Sequence, residues 1–181
     1  MNPKIKLTLK AWPWIACGTM GACYLTQGIA KLFDIELPDQ QNVDIVRQSM
    51  IHAFASLKNF FNASLLIAQV IVVLPAIEEF VFRYLLTKLP LKIAKKATGA
   101  DCGKTILHSK CAWATAAASS ALFSAAHYIA QPFPDSAFIA LFLFGLAQCW
   151  LYFRTGSILC ATINHALFNL TNLVLLLVLP Q

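Results

Sequence analysis

The stretch Pro75-Ala-Ile-Glu78-Glu79-Phe-Val-Phe-Arg83 decides the fold. It lies inside an apolar run that begins near Phe60 and ends near Leu86. Ionisable side chains in such a run are costly within a bilayer, and intramembrane charges mark functional sites with a nearby partner. Helical spacing names that partner. Glu79 and Arg83 are i,i+4 with the acid N-terminal, the better orientation for an ion pair on one helix face. Glu78 is five residues from Arg83 and points elsewhere. The pattern therefore offers one carboxylate neutralised by arginine and one without a local partner. Pro75 lacks an N–H and releases the carbonyl of Ile71, so a kink or opening is expected there.

Composition makes this a membrane reading. Of 181 residues, 59% are hydrophobic and 12% charged, against about a quarter charged in a soluble domain. Mean hydropathy is +0.66. Several separated runs approach the ~20 apolar residues that a bilayer requires. The expected fold class is all-α: a polytopic helix bundle with about five transmembrane helices. The net charge of +6 could suggest nucleic acid, but the lysines flank apolar runs, where topology and anionic lipid explain them. Nucleic acid is not an expected partner.

The spans read Ala11 to Phe33, Phe60 to Leu86, Cys111 to Ala130, Ser136 to Phe153 and Ser157 to Leu179. Residues 1–58 form an N-terminal helix and an amphipathic connection; residues 59–181 form the motif-bearing core of one membrane domain. A basic start before apolar residues also fits a signal peptide. Trp12, Trp14, Pro3 and Pro13, and the poor fit before Cys17 and Cys23, favour an uncleaved helix. Between the first two spans, Val43, Val46, Met50, Phe54, Leu57 and Phe61 recur at helical steps and make one apolar face. The segment Lys31 to Asn59 carries a net charge of −1, and the segment Lys88 to Lys110 carries +5. The positive-inside rule then places the N-terminus and the lysine-rich segment in the cytoplasm. Of the six cysteines, Cys17, Cys23, Cys149 and Cys160 fall in spans, and Cys102 and Cys111 in or beside the basic loop. Without CxxC spacing most of them read as small apolar packing residues rather than disulfides or zinc ligands.

Two further spans carry polar groups that lipid does not tolerate. The third contains Phe123-Ser-Ala-Ala-His127, and the fifth Asn164-His165-Ala-Leu-Phe-Asn169, with His165 and Asn169 on one face. These groups should converge with Glu78, Glu79 and Arg83 in the bundle interior or on a wet cavity. A lone intramembrane histidine is usually a satisfied packing residue; three clusters in one short chain weaken that reading. A carboxylate in a low-dielectric site suits a general base, and histidine and asparagine can stabilise an oxyanion. Glu78, His127 and His165 could instead hold zinc, although no HExxH is present. Ser119, Ser120 and Ser124 share a span with His127, but no GxSxG turn accompanies them, and serines in an Ala/Ser-rich helix usually serve packing.

Glu78-Glu79-x-x-x-Arg83, Phe123-x-x-x-His127 and His165-x-x-x-Asn169, in that order, resemble the three motifs of the CAAX protease and bacteriocin-processing family. The Arg154-Thr-Gly-Ser-Ile-Leu lead also looks like that family, and the likeness covers roughly residues 65 to 172. The resemblance implies an intramembrane endopeptidase, either glutamate-based or metal-dependent. Glu78 and His127 would activate water, His165 and Asn169 would hold the oxyanion, and Glu79 and Arg83 would support them. It also implies a membrane-associated protein or peptide substrate and, from the short bacterial-like layout, a bacterial cytoplasmic membrane. A non-catalytic scaffold or bacteriocin self-immunity protein of the same fold is the alternative. A transporter or channel is disfavoured because the spans show no duplicated halves.

Overall fold

A computed structural model describes residues 1–35, 48–53, 56–98, 107, 109–130 and 135–178. Five long helices carry the fold: α1 Pro3–Leu32, α2 over 57–98, α3 Lys110–Ala130, α4 Asp135–Thr155 and α5 Ile158–Val178. No strand occurs among the described residues, and a short helical turn lies at 48–51. The all-α reading holds. By length and composition three segments can cross a membrane: Leu57–Lys96, Ala137–Thr155 and Ile158–Val178. Helices α1 and α3 have spanning length, at 30 and 21 residues, but a more polar make-up. They turn Thr8, Thr19, Ser119, Ser120 and Ser124 into the protein interior.

Helix α4 is the centre of the bundle. It packs against α1, α3 and α5, whereas α2 lies mainly against α3 and α5 and touches α4 only along its last turns. Half of the most apolar window of α4 is buried, against 11% for that of α2, so α2 presents most of its apolar surface outward, as a lipid-facing helix does. Cross-helix hydrogen bonds set the directions. Asn164 Nδ2 donates to the Thr8 carbonyl (3.4 Å) and Trp12 Nε1 to Thr171 Oγ1 (3.2 Å), so α1 and α5 run parallel. Helix α2 runs against α3 and α5, and α3 against α4. Consequently the starts of α1, α3 and α5 and the ends of α2 and α4 lie together. That end carries Lys4, Lys6, Lys88, Lys92, Lys95, Lys96, Lys110 and Arg154, the asymmetry that the positive-inside rule reads.

Two boundaries differ from the sequence reading. Helix α1 begins at Pro3, eight residues before the expected span, with Asn2 Oδ1 accepting from the Lys4 N–H as its cap. Helix α2 does not stop at Leu86 but continues to Thr98. The extension is basic outside and apolar inside. Leu91 is buried with Ala112 and Ala116 of α3 and Cys149, Tyr152 and Phe153 of α4, which holds the helix together beyond the apolar run. Most of the amphipathic connection (36–47 and 54–55), residues 99–106 and 108 of the basic loop, Cys102 among them, and the turn 131–134 lie outside the described residues. Cys149 and Cys160 are buried as expected, but Cys17 and Cys111 are exposed, so packing does not explain those two.

The Arg154-Thr-Gly156 turn is as expected. Gly156 adopts φ +64, which glycine reaches without cost, and its N–H closes on the Tyr152 carbonyl at 2.7 Å. At Gly145 α4 comes very close to α3. A Cβ there would lie 2.9 Å from Ser120 Cβ and Oγ and 3.1 Å from its Cα. Because the collision includes backbone, no rotamer change relieves it. Gly145→Ala is expected to cost about 1–3 kcal/mol by overpacking, read as a lower Tm of the purified protein in detergent. An unchanged Tm would mean that the two helices do not meet so closely.

Candidate active site

The shape of α2 creates the site. Pro75 cannot donate to the Ile71 carbonyl, and the helix absorbs this as a wide π-helical turn at Gln69–Val73, where the Leu74 N–H reaches back to the Gln69 carbonyl. A second π-helical stretch covers Phe80–Lys88. Regular helix Leu74–Glu79 stands between them and carries both glutamates. Wide turns release carbonyls, and other helices take these up. Asn169 Nδ2 of α5 donates to the Val70 carbonyl at 2.8 Å. The Phe82 carbonyl accepts from Thr87 Oγ1 at 2.6 Å and from Ser119 Oγ of α3 at 2.8 Å. The expected opening at Pro75 is thus present, as a bulge rather than a sharp kink.

Glu79 and Arg83 form the expected ion pair, Oε2 to Nε 2.9 Å, with both side chains wholly buried. The second oxygen of Glu79 does more than the sequence indicated: Oε1 lies 2.9 Å from His165 Nδ1. An ionised carboxylate accepts, so Nδ1 carries the proton. His127 Nδ1 lies 2.9 Å from the Phe123 carbonyl, which likewise assigns the proton to that nitrogen. With the proton on Nδ1, the Nε2 of a neutral ring carries a lone pair. Both Nε2 atoms face Glu78: His127 Nε2 is 3.7 Å from Oε1 and His165 Nε2 is 3.5 Å from Oε2. These separations exceed a direct hydrogen bond. They suit groups that share a third species able to donate to them.

Accessibility separates the two acids. Glu78 and His127 keep 22% and 26% of their side-chain exposure, while Glu79 and Arg83 have none and His165 only 4%. Glu78 and His127 are therefore open to a reactant, and Glu79 and Arg83 are not. The helices reconcile the depths of Glu78 and His127 because α2 is longer than its apolar run. Glu78 lies 20 residues before the end of α2 and His127 lies 17 residues after the start of α3, about 30 and 26 Å at 1.5 Å per residue.

Phe123 is the site residue whose role the motif reading missed. It is fully buried. Its ring centroid is 4.4 Å from that of His127, 6.0 Å from that of His165 and 5.1 Å from that of Phe82. Phe144 adds an edge-on contact to His165 at 4.9 Å. Both imidazoles are thus held by aromatic rings as well as by their Nδ1 partners. Spacing identified Phe123 only as part of a motif; no local signal distinguishes it from a lipid-facing phenylalanine. Asn169 is on the expected face of α5, but one amide hydrogen is committed to Val70, leaving the other for a second acceptor. Ser119 and Ser124 donate to the carbonyls of Phe82 and Phe138. Among the described residues no group of three His, Cys, Asp or Glu side chains that could hold a metal ion is found.

Comparison with known proteins agrees with the geometry. A family model described as type II CAAX prenyl endopeptidase Rce1-like matches residues 60–171. No curated protein and no solved structure matches the chain. The matched stretch is more than half of the chain and contains Glu78, Glu79, Arg83, Phe123, His127, His165 and Asn169. On that match the chain, a helical membrane protein, belongs to the Rce1-like family of type II CAAX prenyl endopeptidases.

Proposed function

We propose that the protein hydrolyses a peptide bond of a membrane-associated protein or peptide, using water held between Glu78 and His127. The observation that carries this reading is the convergence of two imidazole Nε2 atoms on the two oxygens of one partly exposed carboxylate. In a neutral pair of rings all these atoms are acceptors, and a water molecule supplies what they lack, donors. Glu78 takes a proton as the water oxygen attacks the substrate carbonyl carbon, and the carbonyl π electrons move to oxygen. His127 Nε2, on the other side, orients the same water. The proton taken by Glu78 is shared towards His165 Nε2, 3.5 Å away, which makes His165 a donor as the oxyanion forms. Asn169 contributes its second amide hydrogen there. On collapse of the tetrahedral intermediate the oxyanion re-forms the carbonyl, the C–N bond breaks, and the proton passes back from His165 through Glu78 to the leaving amine.

The same proposal makes the activating group a carboxylate rather than zinc. It places the lysine-rich end of the bundle in the cytoplasm. The protein would sit in a bacterial cytoplasmic membrane.

Three measurements test this function. Cells carrying wild-type protein and cells carrying Glu78→Gln at matched abundance are compared by mass spectrometry of new protein termini. Termini present in the wild type and absent from both Glu78→Gln and His127→Ala are expected; identical termini in all three would mean a structural clamp in a scaffold or immunity protein. With a substrate so identified, chelators should leave cleavage by the purified protein unchanged, and loss restored by zinc would refute the carboxylate mechanism. Ser124→Ala should retain cleavage and lose about 1 kcal/mol of stability with its hydrogen bond to Phe138; abolished cleavage in a folded variant would instead identify a serine nucleophile.

A further inference from the structure

Beyond its contact with Glu79, the buried guanidinium of Arg83 has donors left over. Its Nε faces Glu79 and its carbon lies 5.8 Å from the centroid of the Phe123 ring. Nη1 and Nη2 have no hydrogen-bond partner among the described residues, although Arg83 is wholly buried. Ser120 Oγ, also fully buried, has no nitrogen or oxygen partner. Ser120 packs against Gly145 of α4, one turn before the buried thiol of Cys149. Thr87 Oγ1 lies 3.8 Å from that sulfur and gives its hydrogen to the Phe82 carbonyl, so it retains lone pairs. Arg83, Thr87, Ser120 and Cys149, contributed by α2, α3 and α4, thus gather donors that lack acceptors beside hydroxyls and a weakly accepting sulfur.

A buried charged donor left without an acceptor is costly, and native proteins answer such groups with ordered water. Water needs two to four polar partners in one place. Here it can accept from Nη1 or Nη2 and donate to Ser120 Oγ or Thr87 Oγ1. We propose that Arg83, Thr87, Ser120 and Cys149 line a buried hydration site between α2, α3 and α4, which solvates the guanidinium on the face that Glu79 does not reach. Such water keeps a full positive charge tolerable in the bundle interior, so Glu79 keeps its counter-ion and the Glu79–His165 contact persists. The inference rests on the ion-pair geometry and not on peptide hydrolysis, so it can fail while the protease reading stands, or the reverse.

The test is an experimental structure of the full chain in lipid at a resolution that shows water. An ordered oxygen within about 3.2 Å of Arg83 Nη1 or Nη2 and of Ser120 Oγ or Thr87 Oγ1 is expected. Direct bonding of both Nη groups to protein acceptors, or a dry contact, would overturn the proposal. X-ray hydroxyl-radical labelling gives an independent reading in solution, because bound water delivers radicals to buried neighbours. Cys149 should be oxidised several-fold faster than Cys160, which is similarly buried. Equal rates would contradict a hydration site beside Cys149.

Discussion

The carboxylate of Glu79 is the contact on which the rest of the centre depends. With no exposure to solvent, it joins Arg83 on its own helix to His165 on α5. Two charges in a low-dielectric interior are tolerated only when they are paired and their remaining hydrogen-bonding groups are met. That condition fixes several features together. It sets the distance between α2 and α5, decides which nitrogen of His165 carries the proton, and turns the other nitrogen towards Glu78. Glu78 is the neighbour in sequence, yet it is left partly open and uncommitted to any cation. Adjacent glutamates thus acquire different tasks from a rotation of about 100° around one helix.

The wide turns of α2 make this separation workable. They bracket the short regular segment that carries the acids, and each releases a carbonyl that accepts a hydrogen bond from a side chain of α5 or α3. Backbone irregularity at membrane depth is tolerable only when such groups are re-satisfied inside the protein. Asn169 is therefore tied to the same bulge that Pro75 induces, and Ser119 and Thr87 close the second one. Around them Phe123, Phe82, Phe144 and Phe168 fill the space between helices and hold the imidazoles in place.

Much of this was legible in the residues alone. Charges and amides inside apolar runs have few tolerable destinations, so Glu78, Glu79, Arg83, His127 and His165 had to converge, and they do. The i,i+4 spacing of Glu79 and Arg83 gave the ion pair directly. What could not be read were the long-range contacts. Nothing local to Glu79 announces His165, 86 positions away, and nothing in the Ala/Ser-rich third span separates Ser119, which satisfies a released carbonyl, from Ser120, which does not. The end of α2 was misplaced because hydropathy falls at Lys88 while the helix continues: burial of Leu91 against α3 and α4 replaces lipid as its support. Helix α1 lies outside the family match, yet Ala16 joins the aromatic cluster and Thr8 meets Asn164, beside His165.

The central claim is that Glu79 holds the site together while Glu78 is left available for chemistry. Thermal unfolding of the purified wild type, Glu78→Gln and Glu79→Gln in the same detergent tests it most directly. Glu79→Gln strands a buried arginine and should lose about 3–5 kcal/mol, seen as a large fall in Tm. Glu78→Gln should stay within about 0.5 kcal/mol of wild type, as changes away from buried networks do. A stable Glu79→Gln beside a destabilised Glu78→Gln, or equal losses in both, would contradict the division of labour between the two acids.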